Sequence, residues 1–118
     1  MLSGIYSGLS ALQAIQTRTQ STANNTANIN TDGFKKTRVT MVEAEPQGGV
    51  TTNVQRVETP GPMVYEPTQN GEVLVEKSNV DLVEELPQMM IDRRAFQANI
   101  KTIKAQDEML GSLLDIKG

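Results

Sequence analysis

The chain has 118 residues, 11 basic and 14 acidic, with no cysteine and no histidine and with rings only at Tyr6, Phe34, Tyr65 and Phe96. These absences exclude disulfides, thiolate or imidazole metal sites and every Ser-His or Cys-His nucleophile arrangement, so no catalytic residue, metal or cofactor is expected. The net charge of -3 is spread along the chain, which leaves no electrostatic footprint for nucleic acid or an anionic membrane surface.

Composition divides the chain into an N-terminal part rich in small residues (1-32), a Gly/Pro-punctuated middle (33-77) and a charged, apolar-periodic C-terminal part (78-118). The opening MLSGIYSGLSALQAIQ is apolar, but it carries no basic start and no small-residue cleavage site, so a cleaved signal is not expected. It is also too short and too polar to span a bilayer. Positions 2, 5, 9, 12, 16, 19, 23 and 26 follow helical spacing and read Leu, Ile, Leu, Leu, Gln, Thr, Ala, Thr, a seam that begins apolar and turns small and polar. Ile5, Leu9 and Leu12 are its candidate contacts. Gly4 and Gly8 weaken an isolated helix by about 1 kcal/mol each. The helix is expected to run on through the asparagines to "NTDGF", where Asp32 and Gly33 turn the chain and Gly33 is free to take a positive φ. The amides of Asn24, Asn25 and Asn28 would then ring the helix end, donating and accepting within the chain or to a neighbour.

The middle carries strand-like runs separated by turn signals. "RVTMVEAE", "PQGG" and "VTTNVQRVE" predict one hairpin, and "MVYE", "PTQNG" and "EVLVEK" a second. The valines are too few to close a barrel, and "TPGP" at 59-62 interrupts any continuous sheet. The segment is therefore a small subdomain or a flexible arm. The two glycine-bearing turns lack the Gly-Lys-Ser/Thr of a phosphate loop.

In the last segment positions 82, 86, 89, 93, 96, 100, 103, 107, 110 and 114 read Leu, Leu, Met, Arg, Phe, Ile, Ile, Asp, Leu, Leu, eight of ten apolar against a chain average of 37%. This predicts a helix with a coiled-coil or bundle face. "SNVDLVEE" predicts its start, with Ser78 as cap and Asp81 at the third position. Pro87 cannot donate to the carbonyl of Val83, so the helix either kinks there or begins at Pro87. Glu84/Glu85 and Asp107/Glu108 point about 100° apart on a helix and read as solvated faces. Arg93 and Asp107 both sit on the seam, roughly 21 Å apart by helical rise, too far to pair within one straight helix. They either fix register between chains or lie at an exposed edge. With so few rings, the apolar residues offset little of the roughly 1 to 2 kcal/mol per residue that ordering the backbone costs, and part of the isolated chain is expected to be disordered.

"ANNTANINTDGFKKTR", residues 23-38, resembles the N-terminal motif of the bacterial flagellar rod and hook axial proteins, which runs approximately Ala-Asn-Asn-Leu-Ala-Asn-x-x-Thr-x-Gly-Phe-Lys. Ala23, Asn24, Asn25, Ala27, Asn28, Thr31, Gly33, Phe34 and Lys35 match, and Thr26 stands where leucine is usual. "RRAFQANIKTIKAQDEML" resembles the C-terminal helix of the same proteins, with Phe96 in a tyrosine place, Asn99 matching, and Pro87 departing from the usual helix former. A chain this short is similar to the proximal rod members of that family. The resemblance implies a mainly α protein whose long N- and C-terminal helices form a coiled-coil-like pair, with a small β-hairpin or flexible middle segment. It further implies a structural subunit, exported unfolded by the flagellar export apparatus and packed with copies of itself and other axial proteins in the periplasm-spanning rod. Its subunit contacts would be the residues named above together with Phe34, Leu86, Met89, Ile100, Ile103, Leu110 and Leu114. A small helical adaptor or chaperone that binds one partner stoichiometrically is the alternative.

Overall fold

A computed structural model describes residues 2-45 and 48-117. The first helix, α1, spans Leu2–Ala27. Its end comes where the asparagines can take over its free carbonyls: the Asn28 amide donates from Nδ2 to the Asn24 carbonyl at 2.8 Å, and the Asn28 N–H reaches the Asn24 and Asn25 carbonyls. The helix thus stops short of the Asp32-Gly33 turn that the sequence suggests, and consecutive turns cover the gap. Gly33 does sit at φ +70°, and its N–H donates to the Glu76 carbonyl at 2.9 Å.

Two antiparallel hairpins follow, as two separate two-stranded sheets: β1 (Thr37–Glu43) with β2 (Val50–Arg56), and β3 (Met63–Thr68) with β4 (Gly71–Glu76). Pro46 and Gln47 of the first expected turn lie outside the described residues. The first hairpin lies along α1. Its root is tied at Thr37 to Ser21 and Asn25, and its far end at Val50, whose N–H donates to Ser10 Oγ at 3.0 Å. The second hairpin stands free of both helices along most of its length. Met63, Val64, Tyr65, Val73 and Leu74 are all exposed, so both of its faces meet solvent.

The second helix, α2, spans Leu82–Lys117. Asp81 caps it: its Oδ1 accepts from the Val83 N–H at 2.9 Å, and its carbonyl accepts from the Glu84 and Glu85 N–H groups. Ser78 is not the cap; its Oγ accepts from the Val80 N–H at 3.1 Å and braces the entry to the helix. The helix starts at Leu82 and runs through Pro87, so it does not begin at the proline. Position 87 is close enough to the start that the missing N–H costs one early hydrogen bond and leaves the remaining helix intact.

α1 and α2 run antiparallel and side by side, Gly4 beside Gln106, Gly8 beside Ile103, Arg18 bonded to Asp92 and Asn25 bonded to Glu85. The longer α2 outruns α1, and its last turns, with Met109, Leu113, Leu114 and Ile116, extend past the N-terminus of its neighbour with those side chains exposed. The molecule is a rod of 81 × 26 × 18 Å. Its radius of gyration is 20.9 Å, against about 13.5 Å for a compact chain of this length. Among the described residues the buried apolar side chains are only Ala14, Ile15, Val39 and Val80.

Candidate assembly interface

The face that α1 turns toward α2 is the register 4, 8, 11, 15, 18, 22, 25, which reads Gly, Gly, Ala, Ile, Arg, Thr, Asn and is buried or half-buried throughout. This is the seam expected from sequence displaced by one residue. α2 answers with Glu85, Gln88, Asp92, Ala95, Asn99, Ile103 and Gln106, also one residue off its apolar stripe for most of its length. Small residues explain the choice, since helices approach most closely where no Cβ intervenes. A Cβ built on Gly8 would lie 2.8 Å from Ile103 Cγ1, and one on Gly4 2.7 Å from Gln106 Nε2. The glycines that weaken an isolated α1 therefore admit its partner.

Polar contacts fix the register of this interface. Arg18 Nε donates to Asp92 Oδ1 at 2.6 Å and Gln88 Nε2 donates to the same oxygen at 3.0 Å; Asp92 is 1% exposed. Both donors converge on Oδ1, and the buried Oδ2 has no partner among the described residues. At the other end Asn25, 2% exposed, behaves as a piece of backbone. Its Nδ2 donates to the Thr37 carbonyl at 2.9 Å, and its Oδ1 accepts from the Thr37 N–H at 3.0 Å. The same amide nitrogen reaches Glu85 Oε1 at 3.3 Å, so one side chain ties α1, β1 and α2 together. Asn79 repeats the device: its Oδ1 accepts from the Lys36 N–H at 2.7 Å, and its Nδ2 donates to the Val57 and Thr59 carbonyls, each at 2.9 Å. A polar cavity of about 210 Å³ beside Asn25 is lined by Arg18, Lys36 and Arg38 with Glu84 and Glu85.

Glu85 is therefore not on a solvated face, as its pairing with Glu84 in sequence suggests. It is buried, and burial raises its pKa, offset in part by the Asn25 amide. Glu84 does face outward and bonds Lys36 Nζ at 2.7 Å.

The residues singled out in the sequence fall into two groups. Asn25 is buried, and Ile5, Leu12, Asn28, Phe34, Asn99, Ile103 and Leu110 are half-buried at or near the helix pair and its joint. Asn99 spends its amide within α2, donating to the Ala95 carbonyl at 2.9 Å. The second group points outward. Leu9, Asn24, Gly33, Leu86, Met89, Arg93, Phe96, Ile100, Asp107 and Leu114 are exposed, and neither Arg93 nor Asp107 has an ionic partner among the described residues. The apolar stripe of α2, apart from Ile103 and Leu110, is thus left free, and beside Leu86, Met89, Met90 and Phe96 it borders an open groove of about 850 Å³, with Gln16 and Thr19 of α1 on the other wall. Sequence reasoning missed Arg18, Asp92 and Asn79. The first two lie on the facing polar sides of the two helices, and the signal that could have exposed Arg18 is that its face of α1, not the apolar one, carries Gly4 and Gly8.

The two halves of the interface coincide with two recognisable families of sequence. Residues 5-35 match the flagella basal body rod protein family, and residues 73-116 match the C-terminal family of the flagellar basal body rod FlgEFG proteins. Together the two spans cover well over half of the chain, one at each end. The chain belongs to the flagellar rod and hook family. Relatives of this family member include the flagellar basal-body rod protein FlgG of Bacillus subtilis, 47% identical over 47 residues, which are 40% of this chain and 18% of that protein. The flagellar hook protein FlgE of Escherichia coli is 44% identical over 43 residues, 36% of this chain and 11% of that protein, and FlgE of Borreliella burgdorferi is 56% identical over 44 residues, 37% of this chain and 10% of that protein. The matched stretches thus span less than a fifth of these relatives. The rod and hook family is structural and not enzymatic. No helix among the described residues is long and apolar enough to cross a membrane.

Proposed function

We propose that the protein is a structural subunit of the bacterial flagellar rod, most similar to the proximal rod protein FlgC, which polymerises through its terminal helices into the axial drive shaft. The observation that carries this reading is the division of labour on the helices: small and polar faces hold most of the antiparallel pair together within one chain, and the apolar stripe of α2 is left exposed at Leu86, Met89, Phe96, Ile100 and Leu114. A monomer gains nothing from a row of exposed Leu, Met, Phe and Ile, whereas a subunit of a bundle needs one. In the assembly the pair works as a coiled-coil-like unit, with other copies and other axial proteins against the outer stripe and the hairpins turned away from the axis. Sparse burial also suits export: a chain with four buried apolar side chains among the described residues unfolds readily, which supports passage through the flagellar export apparatus.

Circular dichroism and sedimentation of the purified chain over a dilution series test the proposal. A rod subunit loses helix on dilution and forms helical polymers or mixed assemblies with other axial proteins when concentrated, and deletion of its gene abolishes motility. A rigid monomer, indifferent to axial proteins and saturating at a fixed ratio with one partner, is the behaviour of an adaptor and sinks the rod reading.

A further inference from the structure

Two opposite charges stand on the exposed stripe of α2, and their spacing carries information. The stripe runs Leu86, Met89, Arg93, Phe96, Ile100, then Ile103, Asp107, Leu110 and Leu114, with Arg93 and Asp107 exposed and without an ionic partner among the described residues. They are fourteen residues apart, two repeats of the seven-residue pattern.

We propose that α2 of one copy packs parallel against α2 of a second copy with a stagger of fourteen residues, so that Arg93 of the first faces Asp107 of the second. The proposal rests on the rod reading and specifies its contact. With that stagger the exposed part of the stripe meets the stripe again: Leu86 faces Ile100, Phe96 faces the half-buried Leu110 and Ile100 faces Leu114, while Met89 comes level with Ile103, which stays turned toward Gly8 of its own α1. Charge complementarity selects this register over its neighbours. In an unstaggered parallel pair Arg93 faces Arg93 and Asp107 faces Asp107, two like-charge contacts. A stagger of seven puts Arg93 and Asp107 each against Ile100, burying both charges unpaired. Among these parallel pairs the fourteen-residue offset alone neutralises the charges and sets apolar positions against each other, a use of seam charges to set register. The groove beside Leu86, Met89 and Phe96 borders this contact and leaves room for a second helix, and the overhanging end of that helix, with Leu114 exposed, lies against Ile100. Because the two surfaces in contact differ, the contact is heterologous and repeats, advancing each copy by about 21 Å along the helix axis. An antiparallel pair centred on Ile100 also joins Arg93 to Asp107, but it is self-complementary and closes as a dimer, leaving nothing to propagate.

The chain has no cysteine, so disulfide trapping is unambiguous. Full-length Leu86→Cys and Ile100→Cys chains are mixed at a concentration that gives polymer, then oxidised. The staggered contact yields disulfides between unlike chains, and the double variant L86C/I100C yields ladders. Dimers of Ile100→Cys alone, or Leu86→Cys joined to Leu114→Cys, indicate the unstaggered or antiparallel pair and overturn the proposal. So does polymer that forms with no 86-100 disulfide, although that outcome leaves the rod reading standing. Charge reversal supplies the second arm. Arg93→Asp or Asp107→Arg alone lowers polymerisation at least tenfold, and the double reversal restores it, with monomer helicity unchanged because both residues are exposed. Equal loss in the double reversal overturns the register. A chain that forms no polymer at any concentration, alone or with other axial proteins, fails the rod reading itself, and this contact with it.

Discussion

Gly4 and Gly8 look equivalent in sequence and are not equivalent in the fold. A methyl at position 4 meets the far end of the flexible Gln106 side chain, which swings aside, so Gly4→Ala recovers up to about 1 kcal/mol of helix propensity. A methyl at position 8 meets the stiff, branched body of Ile103 at 2.8 Å, so Gly8→Ala is neutral or destabilising. Thermal melts of the two variants at one fixed protein concentration, moving in different directions, check this. Arg18→Ala strands the Asp92 carboxylate, 1% exposed, without its cation and costs about 3 kcal/mol; the double replacement of Arg18 and Asp92 by leucine recovers most of that loss. Denaturant midpoints of the two variants and the unchanged chain measure it. Asn25→Ala removes the partners of both the N–H and the carbonyl of the half-buried Thr37 and costs about 1 to 3 kcal/mol, whereas the exposed Asn24 tolerates the same change.

At the scale of elements, the helix pair and the second hairpin answer pH in opposite directions. Burial raises Glu85 above the ordinary carboxylate value, so the folded chain holds that proton more tightly than the unfolded one. The stability this group contributes is therefore complete at low pH and is lost as pH rises through the raised value. Glu85→Gln keeps an acceptor for Asn25 without the charge. It flattens the decline in helix-pair stability between the ordinary glutamate value and neutrality, which melts at several pH values detect. Glu76 is shifted the other way, lowered by its bond from Lys35 Nζ and by the Gly61 N–H. Its contribution is present above the ordinary glutamate value and disappears as pH falls through the lowered one. Acidification through the lowered value thus loosens the root of the second hairpin, and residue-resolved hydrogen exchange shows protection lost there, at β3 and β4. That root is sterically closed as well, since a Cβ on Gly61 would fall 1.9 Å from the Lys77 carbonyl oxygen; Gly61→Ala costs about 1 to 3 kcal/mol and spares the helices.

Taken whole, the molecule is an 81 Å rod with almost no interior. Its shape is set by two helices laid antiparallel, with one hairpin along α1 and a second that contacts neither helix along most of its length. A two-stranded ribbon with both faces in water is marginal by itself, so the second hairpin is the first part to gain order when a neighbour covers it. Solution scattering of the concentration-extrapolated monomer gives a radius of gyration near 20.9 Å if the pair persists, and a larger value if the helices part.

Helix positions, the two hairpins and the Gly33 turn could all be read from the chain, because periodicity and turn residues are local facts. The resemblance at both ends also gave the family. What the chain alone does not reveal is which face of each helix is used within the molecule. The apolar stripes are the stronger pattern, yet α1 and α2 meet one residue away, where Gly4 and Gly8 permit close approach and Arg18, Asn25 and Asp92 find partners. Close packing of backbones and pairing of buried polar groups depend on residues sixty or more positions apart. Only the tertiary structure brings those residues together, and only it shows that most of the apolar stripe of α2 stays exposed.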